Sequence, residues 1–406
     1  MQDILDVTKR QEFDDSIIRW TYHPYFPHNT LSINNSDEVR ICVNNQDILT
    51  LPSQSYLYIK GKFNNKDKGH FVNNGLAFLF DEIRYEIASK EVDSVRNPGI
   101  ASLLKYVCSP NTKKRYSNAC IDTDENLKQV SNSGEFSGCI PMEMMLGVFE
   151  DFDKVLVGIK QELILKIARN SLNAIFTTAA LPTGDNAVDP IPEVTIDEIQ
   201  WFIPHVLASD REKLTIQNAV AESKSFNINF RSYELHMMPS YPTGTTKNTW
   251  SVKTTNQLEK PRYVIFGFQT NRDNAARKRC DEFDHCSLKN IKVFLNSEYY
   301  PYSDLNLNFE KKDIAKAYEM FVRFQNSYYN NSLPDPIIDR EEFINKYPVL
   351  VIDCSKQNES IKEGVVDMKI DLETGSNVAA GTIAYCLIIH RKEFEYNPMT
   401  NEVIKM

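Results

Sequence analysis

Glycine is scarce in this sequence, with 14 in 406 residues, so its turns must rest on asparagine, aspartate, serine and the 18 prolines. The eight cysteines (42, 108, 120, 139, 280, 286, 354 and 386) show no CxxC spacing. The first residues, MQDILDVTKRQEFDDS, lack the apolar core of a secretory signal. No uninterrupted apolar run reaches the roughly 18–20 residues that cross a bilayer. The expectation is a soluble intracellular product with reduced thiols and no membrane span. There is no GxxxxGK[ST] phosphate loop, so the chain is not read as a P-loop motor. The seven histidines (23, 28, 70, 205, 236, 285 and 390) include no His-x-His pair of the kind a cupin-type metal enzyme uses. Net charge is −9, with no polybasic arm. The densest basic spots, Lys113-Lys114-Arg115 and Arg277-Lys278-Arg279, are short and read as solvated loop charges. Sequence-specific nucleic-acid binding is therefore not expected.

What the sequence has is strands. Aromatic residues make up 11%, with 22 Phe and 19 Tyr, and they fit a half-buried pleated surface. Val39, Ile41 and Val43 alternate with Arg40 and Cys42, Leu163, Leu165 and Ile167 with Glu162, Ile164 and Lys166, Phe226, Ile228 and Phe230 with Asn227, Asn229 and Arg231, and Val366, Met368, Ile370 and Leu372 with Asp367, Lys369 and Asp371. Each set predicts a strand with one face buried. The runs YVIFGF (263–268), VLVID (349–353) and TIAYCLIIH (382–390) predict strands covered on both faces.

Helical patterns are few. Residues 311–329 place Ile314, Ala317, Tyr318, Phe321 and Phe324 on one face, with Asp313 near the start. Residues 209–221 begin with Ser209 as N-cap and Glu212 completing a capping box. A third, short helix is predicted at 97–107.

The two halves repeat one architecture. EIRYEIASKEVDSVRN (82–97), a short helix, FDKVLVGI (152–159), QELILKIA (161–168) and EVTIDEIQWFI (193–203) are matched by NIKVFLNSEYYPYSDLN (290–306), the helix at 311–329, YPVLVID (347–353), VVDMKIDLE (365–373) and GTIAYCLIIHRKEFEY (381–396). The offset is roughly 200 residues, and residue identity between the halves is negligible. Two all-β units of this size, each with about eight strands and an inserted helix, point to two tandem jelly-roll β-sandwiches. Immunoglobulin-like sandwiches would need about 100 residues each and a Cys…Trp…Cys spacing that is absent. The division expected is an N-terminal arm or helix at 1–21, a first roll at 22–207, a helical linker at 208–221, a second roll at 222–398 and a tail at 399–406.

Several stretches resemble the double jelly-roll major capsid proteins of the Polinton or Maverick group and related adintovirus-like elements. They are WSVKTTNQLEKPRYVIFGFQTNR (250–272), FDHCSLKNIKVFLNSEYYPYSDLNLNF (283–309), MFVRFQNSYY (320–329), VLVIDCSKQNESIK (349–362) and AYCLIIHRKEFEYNP (384–398). In the first half, LFDEIRYEIASKEVDSVRNPGI (79–100) and the run at 198–214 fit the same family. The resemblance covers most of residues 30–398. It implies a non-enzymatic structural protein whose homotrimers have a six-lobed outline and tile an icosahedral shell around double-stranded DNA. It also implies vertex (penton) and minor capsid proteins as partners. The location implied is the virion capsid, with synthesis in the host cytoplasm and assembly there or in the nucleus. An acidic protomer suits a shell held by protein–protein contacts, and ring trimers use heterologous contacts that close. The alternatives are a domesticated or lectin-like jelly roll that does not assemble, and a metal-dependent jelly-roll enzyme.

The segment with the most chemistry is RKRCDEFDHC (277–286), which gathers Cys280, Asp281, Glu282, Asp284, His285 and Cys286. Zinc needs three or four converging ligands, usually in two spaced pairs. Here Cys280, His285 and Cys286 share one loop, and no second pair stands out. A Cys–His nucleophile would need its base oriented by a third group in a cleft. The segment is read as a structural connection between two strands, with no catalytic, cofactor or metal role. FEDFD (149–153) is read as a solvated turn. The tyrosines of NSEYYPY (296–302) and NSYYNN (326–331) are expected either to make subunit contacts or to cap the core.

Overall fold

A computed structural model describes residues 16–28, 33, 35–44, 48–64, 69–111, 116–120, 130–131, 133–177, 192–222, 224–252, 261–296, 298–356 and 366–406. The first half contributes β1 (Ile17–Tyr25), β2 (Glu38–Val43), β3 (Leu49–Thr50), β4 (Tyr56–Asn64), β5 (His70–Phe71), β6 (Phe80–Ile87), β7 (Lys90–Arg96), β8 (Glu135–Pro141), β9 (Leu156–Val157), β10 (Gln161–Ile167), β11 (Ile175–Phe176) and β12 (Glu193–Ala208). The second contributes β13 (Phe226–Met238), β14 (Lys247–Val252), β15 (Pro261–Thr270), β16 (Leu288–Leu295), β17 (Glu298–Tyr300), β18 (Leu350–Asp353), β19 (Met368–Thr374), β20 (Thr382–Asn397) and β21 (Glu402–Lys405). The helices are α1 (Pro98–Cys108), α2 (Gly147–Asp151), α3 (Asp210–Ala221), α4 (Ala315–Tyr329) and α5 (Arg340–Asn345).

Setting aside β3, β5, β9 and β11, the first half pairs its strands as β1-β12-β4-β8 and β2-β10-β6-β7. The second half, setting aside β21, pairs them as β13-β20-β15-β18 and β14-β19-β16-β17. Both are the same order: first, eighth, third, sixth in one sheet, and second, seventh, fourth, fifth in the other. All pairings are antiparallel. The chain is a jelly roll built twice, and α1 and α4 both fall in the connection between the fifth and sixth strands.

Alternation explains the layers. Val39, Ile41 and Val43 of β2, Leu163 and Leu165 of β10, and Ile83 and Tyr85 of β6 face Leu57 and Ile59 of β4 and Ile199 and Trp201 of β12, all buried. Side chains of this size contribute roughly 1.5–3 kcal/mol each when fully buried. Trp201 meets the Tyr85 ring edge-on at 6.1 Å. In the second roll, Trp250, Ile291, Val293, Ile370 and Leu372 close over Phe266 and Phe268. Scarce glycine shows in the turns: among the described residues, eight of the non-glycine residues with positive φ are asparagines, the residue that tolerates this region best. The β6–β7 hairpin turns on Ala88 and Ser89, at φ 49° and 64°.

The structure differs from the sequence reading in several places. The arm expected at 1–21 includes the start of β1, which pairs with β12 from Ile17 onward; residues 1–15 lie outside the described residues. β1 shows no clean alternation because it is an edge strand, largely exposed on both faces. The tail is also structured, since β21 pairs with the end of β20. The sixth strand of the first roll is β8, inside a stretch taken as polar connection, whereas FDKVLVGI supplies only the two-residue β9. In α3, Ser209 Oγ accepts the Glu212 N–H, but the Ser209 N–H goes to Ser16 O at 2.8 Å, so the reciprocal half of the capping box is replaced. Asp313 precedes α4 and bridges to Asn308 rather than occupying its first turn.

Candidate functional site

The segment 277–286 lies in the connection from β15 to β16. Arg279 holds Asp281 through two bonds, Nε to Oδ1 at 3.1 Å and Nη2 to Oδ2 at 2.7 Å. Arg272 holds Asp284 in the same way at 3.0 and 2.8 Å, and Asp284 Oδ2 also accepts the Thr270 N–H. Gln269 Nε2 donates to the carbonyls of Cys280 and Glu282. Arg279 is thus a fixed structural cation and not a solvated loop charge; Lys113-Lys114-Arg115 lie outside the described residues. His285 stacks on Phe309 at 4.9 Å, and its Nδ1 accepts the Ser287 N–H. Cys286 and Ser287 have left-handed backbone, φ 44° and 48°, so they form a turn before β16. Burial pushes the Cys280 thiol far above its ordinary value and the Cys286 thiol up to about 11, and it lowers the His285 imidazole. A thiolate–imidazolium pair needs the opposite shifts. Among the described residues no three His, Cys, Asp or Glu side chains are grouped so as to hold a metal.

The densest buried polar chemistry is elsewhere, at the junction of the two rolls. Asp151, at the end of α2, accepts the backbone N–H of Arg231 in β13 and its Nε, both at 2.7 Å. The Arg231 guanidinium lies 3.6 Å from the centre of the Tyr328 ring. Lys105 of α1 pairs with Glu150, which also accepts from Tyr328 Oη at 2.9 Å. Buried Asp93 of β7 accepts from Val148 N–H and Ser232 Oγ, and Lys392 Nζ stands 3.4 Å away. A second seam joins the Asn73 N–H to Asp281 Oδ2 at 3.1 Å and the Thr177 N–H to Ala276 O at 2.7 Å.

FEDFD is therefore no solvated turn. Phe149 and Phe152 are buried, and Glu150 and Asp151 accept from Tyr328 and Arg231 of the second roll, while Asp153 is exposed. These groups stabilise a fixed arrangement, because each buried charge has a partner. The sequence offered one signal for this junction: Lys105 is the lone cation in the apolar stretch PGIASLLKYV. A cavity of about 400 Å³ remains there, lined by Tyr106, Tyr116, Glu143 and Tyr329 among others.

The tyrosine clusters divide. Tyr328 and Tyr329 belong to the junction, with Tyr329 Oη 2.7 Å from Ser109 Oγ, whereas Tyr299 and Tyr302 are exposed and stack at 6.1 Å. A second exposed aromatic group covers the outer face of the first roll, where Tyr22 meets Tyr56 at 5.4 Å and Tyr56 stacks on Phe202 at 4.9 Å.

Two rolls of one strand order, locked side by side, agree with what comparison finds. Residues 70–393 match the family described as a double jelly roll-like domain. The chain belongs to that family. Solved structures share this double jelly roll along nearly its whole length. A structure of PBCV-1 VP54, fitted into a reconstruction of the virophage Sputnik, is 9% identical with a TM-score of 0.61, covering 98% of this chain and 99% of the other. The Faustovirus major capsid protein is 8% identical at 0.60, covering 95% and 92%. The mavirus major capsid protein is 10% identical at 0.56, covering 100% and 93%. At such identities the likeness is one of fold. No curated protein matches the sequence. Among the described residues of this double jelly roll, no helix is long and apolar enough to cross a membrane.

Proposed function

We propose that this chain is a non-enzymatic major capsid protein whose homotrimers, pseudo-hexameric in outline, tile an icosahedral shell around double-stranded DNA. The observation that carries the reading is full-length agreement. Both rolls and their junction, not one sandwich alone, align with major capsid proteins such as that of mavirus. Rigid docking of the rolls supports it, because a shell subunit must transmit fixed angles between neighbours. The reading includes no catalytic, cofactor or metal site. Its rolls flank α3, and vertex and minor capsid proteins are its partners. Residence in the virion after synthesis in the host cytoplasm belongs to the reading, as does membership of the Polinton or Maverick group.

Negative-stain electron microscopy at low and high protein concentration tests it. Threefold particles with six lobes, or closed shells, are expected. A monodisperse monomer at every concentration would overturn the assembling-subunit reading and favour a non-assembling jelly-roll module.

A further inference from the structure

The second seam between the rolls continues at Asn173, whose Nδ2 donates to Asp273 Oδ1 at 2.9 Å and whose Oδ1 accepts the Asn274 N–H at 2.6 Å. This bridge forms one wall of a cavity of about 500 Å³. That volume falls in the range of about 300–1,000 Å³ found for small-molecule sites. The other walls come from the ends of strands. Asp81 at the start of β6, Asn97 after β7 and Arg169 after β10 belong to the first roll, and Met237 and Tyr385, at the end of β13 and the start of β20, to the second.

The fold does not use the polar groups that line this cavity. Tyr385 is 4% exposed, yet its hydroxyl makes no hydrogen bond among the described residues. A phenol buried so deeply ordinarily has a partner. Burial, and then Cys280 and Asp273, push it up, so it stays protonated and able to donate. The carboxylate of half-buried Asp81 and the guanidinium of Arg169 at the rim likewise have no hydrogen bond or ion pair among the described residues. Asn97 stands in the N-cap position of α1, but its side chain does not cap the helix and reaches only the Met237 sulfur, at 4.0 Å. Beside these groups lie the buried rings of Phe78 and Phe80.

The mixture points to a class of ligand. A bound anion calls for donors alone, a metal ion for acceptors alone, and an apolar ligand for neither. Here an acceptor, Asp81, and two donors, Arg169 and Tyr385, stand unpaired around one cavity with an aromatic wall. Sugar hydroxyls donate and accept at once, and the C–H face of a pyranose ring packs on aromatic surface. We propose that this cavity between the rolls binds a neutral saccharide unit, with Asp81 accepting from its hydroxyls, Tyr385 and Arg169 donating to them, and Phe78 and Phe80 as the apolar wall. The unit is either a free monosaccharide or the terminal residue of a glycan. Binding needs only the docked rolls, so it is independent of the assembling-subunit reading.

Saturation-transfer NMR on the full chain, with glucose, galactose, mannose and N-acetylglucosamine in turn, tests the proposal. At least one sugar is expected to receive saturation from the protein. Tyr385→Phe and Asp81→Asn are each expected to weaken its binding about tenfold or more. Neither group holds anything within the chain, so both variants should melt at the wild-type temperature. A printed glycan array separates the two sources. Signal on glycans ending in that sugar assigns the cavity to a glycan terminus, and a blank array with NMR binding assigns it to the free monosaccharide.

Hydrogen exchange gives a readout that needs no substitution. The bound sugar should slow exchange at residues 97–101 and 168–170 and leave β16 and β19 unchanged. Should a variant fail to fold by circular dichroism, this measurement decides alone. Binding that survives both substitutions, or protection only elsewhere, overturns the assignment to this cavity. Silence from all four sugars and from the array overturns the proposal and leaves the capsid reading standing. Glycine and glutamate serve as zwitterionic controls, and binding of either in place of the sugars overturns the saccharide class. A chain that binds the sugar but stays monomeric at every concentration overturns the capsid reading and not this one.

Discussion

Replacing Gly147 by alanine isolates the steric side of the junction. A Cβ on Gly147 would lie 1.7 Å from the carbonyl oxygen of Arg231 and 2.7 Å from its carbonyl carbon. Both are backbone atoms of the second roll and cannot rotate away. Ordinary contact begins at 3.4 Å, so the two backbones would have to part by about 1.7 Å along that line. Overpacking of this sort costs about 1–3 kcal/mol. The same displacement stretches the 2.7 Å bonds from Arg231 to Asp151, and a charge-assisted bond contributes about 1.5–3 kcal/mol. Against this, alanine is favoured over glycine in a helix by up to about 1 kcal/mol. The expected net loss is about 3 kcal/mol, read from urea unfolding. Hydrogen exchange should rise at residues 147–151 and 229–233 and stay unchanged in β16 and β19. Gly244→Ala is the control, since its Cβ meets nothing within 4 Å. If Gly147→Ala unfolds within 0.5 kcal/mol of wild type, on the order of the experimental error, the rolls are not rigidly seated here and the reasoning fails.

Three further outcomes can be checked. Asp93→Ala strands Lys392 and the Val148 N–H and should cost about 3–5 kcal/mol, whereas Asp93→Asn, which keeps an acceptor, should cost less; equal losses would assign the effect to shape and not charge. Burial, and then Lys392, hold the His390 imidazole down at about 3, and burial and then His23 hold His205 at about 4. Both stay neutral in the fold while the unfolded chain takes up protons below about 6.5, so stability is level above pH 7 and falls as the pH drops from 6.5 toward 4. His390→Gln should flatten that decline in melting temperature, and an unchanged slope would refute the assignment. Zinc or a chelator should leave the melting point unchanged, and Cys280 should react with a thiol reagent only on unfolding; rapid labelling of Cys280 in the native protein would contradict its burial.

Much of the fold was legible because half-buried strands write their face into the sequence every second residue. Val39-Ile41-Val43 and Met368-Ile370-Leu372 became strands facing the core as expected, and the offset repeat became two rolls of identical strand order. Two of the strands that went unread have the physical reason in their exposure, whereas β8 alternates but places only Phe136 and Ile140 as large apolar side chains on its buried face. β1 and β21 lie at sheet edges with little buried face, so no alternation marks them. The reading of RKRCDEFDHC as a connection between strands agrees with its location, but its arginine clamps depend on backbone turns that residue order alone does not reveal.

Pattern along the chain therefore determined the class of fold, the double layout and the helix between the halves. Tertiary structure decided which charges meet. Asp93 and Lys392 are 299 residues apart, and Asp151 and Arg231 are 80. Local periodicity records which way a side chain points within its own sheet and carries nothing about a partner on another roll. The same limit applies to the outer face of β1. Trp20 and Tyr22 look like any aromatic pair in the sequence, and only the position of β1 at a sheet edge shows them, among the described residues, as partly exposed rings on the outer face of the first roll.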